Sequence, residues 1–209
     1  MSRALAALAP VLVSSLVALG CADGTDSGDR PTGQTFNRPV PHIGRGPGFE
    51  LGPAGPEAAH ARPVAGMRCE RGRHGDHYGV HLEIFARGLD VVIPAGIGVA
   101  PPRRREGAYV RGGRCEYPVR TYEPTGLIEI DSGRRATLGQ FFDLWGQPLD
   151  RKRLLGFRAS PRGAVLAYVN GERWAGDPRT IPLAQHAAIV VEVRGYFPPT
   201  RRYLFPHGL

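Results

Sequence analysis

Apolar and polar residues follow a period of two through several stretches of the chain, and one stretch changes rhythm. Over residues 125–148, TGLIEIDSGRRATLGQFFDLWGQP, the period passes from two to 3.6. Leu138, Phe141, Phe142 and Trp145 fall at i, i+3, i+4 and i+7, which places them on one face of a short helix. Thr137 stands where it can cap the N-terminus, Gln140 can complete a capping box, and Gly146 and Pro148 supply the stop. Upstream, Gly126–Asp131 reads as a strand, with Leu127, Glu129 and Asp131 opposite Ile128 and Ile130. Four large apolar side chains on one helix must bury against something. The flanking sequence is mostly strand-like, so a small sheet is expected to pack on this helix.

Other strands follow from the same reading. Val80, Leu82 and Ile84 alternate with polar neighbours, Arg87-Gly88 makes a turn, and residues 89–93 return as a second strand, giving a β-hairpin. Residues 101–113 form a polar, Arg-rich loop and 114–119 a short strand. Residues 150–163 are basic and loop-like. Asn170-Gly171, between residues 164–169 and 172–174, is the strongest hairpin signal in the chain, because this pair suits a type I′ turn. Asp177-Pro178-Arg179 turns, Ile181–Leu183 is a short extended piece, and His186–Val193 is rich in β-branched residues. About six strands and one main helix predict an α+β domain. Its sheet, mixed or antiparallel and containing two hairpins, packs on the helix in a loosely β-grasp-like way.

Composition divides the chain. Of the 209 residues, 29 are Gly and 20 are Pro, enriched in loops and before residue 67. Residues 1–21 read as a targeting segment: Arg3 gives a positive start, and Ala4–Leu19 is apolar, uncharged and short for a membrane span. The segment ends VALGC and resembles a bacterial lipobox, in which Cys21 is lipidated and becomes the first residue of the mature protein; an ordinary secretory signal is the alternative. Acyl chains there would hold the protein on a membrane surface without spanning it. The lipoprotein resemblance further implies the outer membrane, if the cell has one, because Ala22 rather than Asp follows the Cys. Residues 22–66 carry no periodic apolar pattern and are read as a disordered tether, with His42 and His60 incidental. The folded domain is expected over 67–194, followed by an aromatic, Pro-rich tail, 195–209, lying on the surface or across a groove.

An exported chain with Cys69 and Cys115 left over suggests one disulfide, with two free buried thiols as the alternative. No C-x-x-C pair is present, which argues against redox catalysis. The formal net charge of +8 rests almost wholly on arginine, Lys152 being the only lysine. A basic envelope protein can touch anionic lipid, a cell-wall polymer or another envelope protein. Export, and the lack of a recognisable nucleic-acid module, argue against a nucleic-acid partner. The runs Arg103–Arg105 and Arg151–Arg153 read as solvated loops.

The one constellation with candidate chemistry is HGDHYGVH, residues 74–81. Histidine and carboxylate are ligands for Zn, Cu or Ni. On a strand, however, His77 and His81 share a face yet stand ~13 Å apart at about 3.3 Å per residue. They meet at one ion only with a bend at Gly79 or a ligand from a neighbouring strand. No nucleophile elbow surrounds Ser132 or Ser160, and Gly96-x-Gly98 precedes no helix. Asp143 is expected to face solvent and Asp177 to sit in a turn. Trp145 and Trp174 read as core.

Four segments, HLEIFARGLDVVIPAGIGV (81–99), CEYPVRTYEPTGLIEID (115–131), TLGQFFDLWGQPL (137–149) and VNGERWAGDPRTIPL (169–183), together resemble one family of uncharacterised bacterial envelope or secreted domains, often membrane-anchored. The resemblance covers most of residues 77–194, and the TLGQFFDLWGQPL block is its specific part. Members carry H-x-H-x-H on the first strand, H-T-H-D after the Cys, and I-H on the next strand. The resemblance therefore implies a metal site. In this chain His77 and His81 occupy the first motif, but Gly79 stands between them. Arg120 and Tyr122 take histidine positions, Glu123 replaces the Asp, and Glu129 replaces the last His. A guanidinium cannot ligate a cation and repels one nearby. If these segments meet, Arg120 can pair with Glu129 or Glu123 and fill the site with an ion pair. The preferred expectation is a non-catalytic binding or interaction module with a degenerate metal site and no cofactor. The alternatives are a Cu or Zn protein using His77, His81, Glu123 and Glu129, and an unrecognised envelope enzyme.

Overall fold

The helix forms where its capping signals place it. In the computed structural model, which describes residues 61–72, 75–195 and 199–209, helix α1 spans Leu138–Trp145. Gln140 N donates to Thr137 Oγ1 at 3.3 Å and Thr137 N donates to Gln140 Oε1 at 2.9 Å, closing the capping box. Gly146 takes the left-handed conformation (φ +71°) that ends the helix. Leu138, Phe141, Phe142 and Trp145 are fully buried and join one apolar cluster. The targeting segment 1–21 with Cys21, the tether up to residue 60 with His42 and His60, His74, and residues 196–198 lie outside the described residues.

In chain order the strands are β1 (His77–Ala86), β2 (Leu89–Asp90), β3 (Arg105–Glu106), β4 (Tyr109–Val110), β5 (Val119–Arg120), β6 (Leu127–Asp131), β7 (Arg153–Leu154), β8 (Phe157–Arg158), β9 (Leu166–Val169), β10 (Glu172–Arg173) and β11 (Ala188–Val193). The main sheet has the order β10-β9-β11-β1-β6-β5, with β2 also paired to β1. It is mixed. β1 runs parallel to β11, from His81↔Ala188 to Ala86↔Val193, and antiparallel to β6, from His77↔Asp131 to His81↔Leu127. The fold is α+β, one sheet against one principal helix.

Two departures from the sequence reading have local causes. The first hairpin is short, because β2 holds only Leu89 and Asp90 in the ladder. Further along β1 the same edge is already taken: Leu82 N donates to Gly126 O at 2.9 Å as the chain enters β6. The stretches read as polar loops, 101–113 and 150–163, instead contain the small sheets β3-β4 and β7-β8. Each is two residues wide and anchored by one buried side chain, Val110 or Leu154, so no alternation was there to be seen. The Asn-Gly hairpin forms as expected, with φ +52° at Asn170 and +84° at Gly171.

Alternation along β1 gives the sheet two faces. Val80, Leu82 and Ile84, with Ile128, Ile130, Ile189 and Val191, belong to the apolar cluster that includes α1. His77, Gly79, His81 and Glu83 point the other way, on the face shared with Leu127, Glu129 and Asp131 of β6. A disulfide between Cys69 and Cys115, with Cα atoms 5.5 Å apart, ties the segment before β1 to the segment before β5. Val64 is already part of the core, so packing begins slightly ahead of Met67. Among the described residues no helix is long and apolar enough to cross a membrane.

Candidate functional site

The polar face is centred on an arginine. β5 pairs with β6 so that Arg120 stands opposite Glu129, and Glu129 stands opposite Gly79 on the other side. Arg120 is only 1% exposed. Its Nη1 donates to Asp131 Oδ1 at 2.6 Å and to Tyr117 O at 3.3 Å. Nη2 lies 3.9 Å from Glu129 Oε2, and Nε lies 3.6 Å from Glu116 Oε2. That last separation is an ion-pair distance without a hydrogen bond, which leaves the buried Nε unpartnered in that sense. The Tyr122 ring lies 5.6 Å from the guanidinium carbon, and its hydroxyl donates to Glu116.

The charges follow from these contacts. Burial works against the Arg120 guanidinium, but the hydrogen bond to Asp131 and the charges of Asp131 and Glu129 outweigh it and hold its pKa above the ordinary value. Burial pushes the Glu129 carboxyl up, opposed by His77 and Arg120. Burial, then the bond to Glu116, pushes the Tyr122 hydroxyl up. His77 Nε2 lies 3.5 Å from Glu129 Oε2, so Glu129 stands between His77 and Arg120.

His81 belongs to a neighbouring cluster. It is 4% exposed, and its Nε2 lies 3.2 Å from Thr125 O, a contact that requires the proton on Nε2. Its Nδ1 is then a buried acceptor without a partner. The Tyr203 ring stacks on it, centroids 3.8 Å apart and planes 8° from parallel. Glu123 Oε1 accepts from Thr125 Oγ1 at 2.7 Å. The structure therefore brings His77, Arg120 and Glu129 together, and engages His81 and Glu123 separately around Thr125. Among the described residues no group of three or more His, Cys, Asp or Glu side chains could hold a metal ion.

Sequence reasoning missed Asp131 and Glu116 as partners of Arg120, although Asp131 shares a strand face with Glu129. Asp143 does not simply face solvent: Arg179 Nη2 reaches both of its oxygens, at 2.9 and 2.8 Å. Asp177 caps a 3₁₀ turn at Pro178–Thr180, accepting from Arg179 N at 2.9 Å. No family model, curated protein or solved structure matches the chain.

The buried imidazole has a measurable consequence. Burial pushes the His81 pKa down to about 4 from the ordinary 6.5. The unfolded chain therefore binds a proton that the folded chain refuses, and stability falls as pH drops from about 6.5 to about 4. The loss through His81 is expected to reach about 3 kcal/mol, at about 1.4 kcal/mol per pH unit. Urea unfolding at pH 7 and pH 4 should show a smaller loss in His81→Gln than in wild type; equal losses would place the acid sensitivity elsewhere.

Proposed function

We propose that this protein is a cell-envelope lipoprotein, exported and anchored through lipid on Cys21, that works as a non-catalytic binding module. The observation that carries the non-catalytic, degenerate-site reading is the position of Arg120. Its guanidinium lies within 4 Å of Asp131, Glu129 and Glu116, occupying the place where the family resemblance implies ligands around a cation. A fixed positive charge there opposes a second cation, and none of the groups around it is an activated nucleophile. The Cys69–Cys115 disulfide supports an oxidising, extracytoplasmic location. Its partner under this reading is an envelope protein or polymer, met at the membrane surface, with no cofactor and no nucleic acid.

One observation favours a second reading, a rebuilt Zn or Cu site. His77 Nε2 and Glu129 Oε2 lie 3.5 Å apart at the edge of the same cluster, with the two side chains 36% and 16% exposed. The two readings separate by titrating protein purified without a histidine tag with Zn²⁺ and Cu²⁺. The binding-module reading expects weak, sub-stoichiometric binding that is unchanged in His77→Ala/His81→Ala. Tight one-to-one binding lost in that variant would overturn it. The anchor is tested by detergent-phase partitioning in the native host: Cys21→Ser should move the protein to the aqueous phase, and unchanged partitioning would sink the lipid anchor.

A further inference from the structure

The polar face of β1 is covered by the chain itself. Residues 199–209 cross it in the direction opposite to the strand. Thr200 Oγ1 donates to Glu83 Oε2 at 2.5 Å, Tyr203 stacks on His81, and Phe205 lies over Gly79. A Cβ at position 79 would stand 2.7 Å from Phe205 Cδ1, so any side chain there would collide with the ring. Gly79 is therefore a socket for Phe205. Tyr203 and Phe205 also meet edge to face at 4.9 Å. Beyond them, His186 Nε2 lies 2.7 Å from Leu209 O, and the His186 ring packs on Phe205.

This segment is held differently from the rest of the fold. Among the described residues its one backbone–backbone hydrogen bond, Leu209 N to Pro206 O, is internal to it. It joins no strand, so what holds it is side chains in sockets. The fit is also incomplete, because His81 Nδ1 is buried beneath Tyr203 with no donor. A buried acceptor left unpaired is costly, and a competing segment that offers a donor there would remove the defect.

We propose that Gly79, His81 and Glu83 form a binding site for an extended peptide carrying a hydroxyl residue followed by aromatic residues three and five positions later, and that residues 199–209 are its intramolecular occupant. The inference deepens the binding-module reading and rests on it. Its chemistry is that of a polypeptide partner: a carboxylate for the hydroxyl, an imidazole plane for the first ring, and a glycine gap for the second. A tethered segment sits near its site at an effective concentration of the order of millimolar, so it excludes a weakly binding competitor and yields to a stronger one.

The test uses the full chain carrying Tyr203→Ala/Phe205→Ala, which empties both aromatic sockets, and a fluorescent synthetic peptide of residues 199–209. Anisotropy should show the variant binding this peptide at least about tenfold more tightly than wild type, whose own segment competes. A peptide with Ala at the Phe205 position, a scrambled peptide, and the variant further changed by Gly79→Val should each lose binding. Histidine NMR supplies a second readout: the His81 pKa should rise from about 4 toward 6.5 in the variant and fall again with saturating peptide. If the double variant does not fold, Tyr203→Ala alone, which uncovers His81, serves with the same readouts. No binding by the opened protein, equal binding by wild type, or equal binding of the scrambled peptide would overturn the proposal. None of these outcomes bears on the metal or partitioning results.

Discussion

Replacing Arg120 with methionine is expected to destabilise the fold by about 3–5 kcal/mol at neutral pH. The guanidinium is 1% exposed, and its carboxylate neighbours Glu116, Glu129 and Asp131 are 15, 16 and 19% exposed. Methionine fills much of the volume but leaves three negative groups close together with little water. Their repulsion and desolvation then act without compensation, which outweighs the apolar gain. The pH dependence gives the mechanism away. In the variant the Glu129 carboxyl, already pushed up by burial, loses the guanidinium that opposes that rise, so the variant is most stable where Glu129 is protonated and loses stability as pH rises through the raised value. The difference from wild type should therefore shrink between pH 7 and pH 5. Urea unfolding at both pH values measures it. A cost below about 1 kcal/mol would mean that the carboxylates regain water once the arginine is gone.

The same site shows what could be read from the sequence. α1 was fully legible, because its cap, its apolar face and its stop lie within a dozen contiguous residues and depend on no distant partner. The Asn170-Gly171 turn was legible for the same reason, and the disulfide followed from counting cysteines in a chain read as exported. Arg120 was only half legible. The family resemblance put it at one site with Glu129 or Glu123, and β5 and β6 do place Arg120 opposite Glu129. Its closest partner, Asp131, is instead the diagonal neighbour two positions along β6. Which of the two carboxylates receives the guanidinium depends on side-chain reach, which periodicity does not encode.

Long-range arrangements were hidden more deeply. Nothing in the alternation of residues 80–85 says that β11, about a hundred positions later, would run parallel beside it. Nor does it say that β6 would displace β2 from most of the β1 edge. Glu123 looked equivalent to Glu129 as a charge, but turn residues carry it off the ladder, where Thr125 binds it. The tail was recognisable as aromatic and Pro-rich. Thr200, Tyr203 and Phe205 follow no helical or strand period, and each is matched instead to one residue of β1. Gly79 held the clue, since a glycine inside a strand often marks the close approach of another group.

Removing the Cys69–Cys115 bond by a paired Cys→Ala substitution is expected to lower stability by roughly 4 kcal/mol, the chain-entropy value for a loop of this size. The sequence separation is 46 residues. If the effect lay wholly in the unfolded chain, it would add independently to any change at Arg120. The structure gives a reason for coupling. Glu116, next to Cys115, exchanges backbone hydrogen bonds of 2.8 and 2.9 Å with Glu70, next to Cys69. Its carboxylate in turn accepts from Tyr122 and lies 3.6 Å from Arg120 Nε. Releasing the disulfide loosens the segment that brings Glu116 to the arginine, so part of the Arg120 contribution is lost with it. A double-mutant cycle should then show a coupling of about 0.5–3 kcal/mol, the combined variant being less destabilised than the sum. Arg120→Lys is the better partner in that cycle, because two losses of about 4 kcal/mol approach the whole stability of an ordinary domain. Lysine keeps the charge and gives up only the fork that reaches Asp131, Glu129 and Glu116 together. Additivity within about 0.5 kcal/mol would assign the disulfide to the unfolded state alone and separate it from the charged cluster.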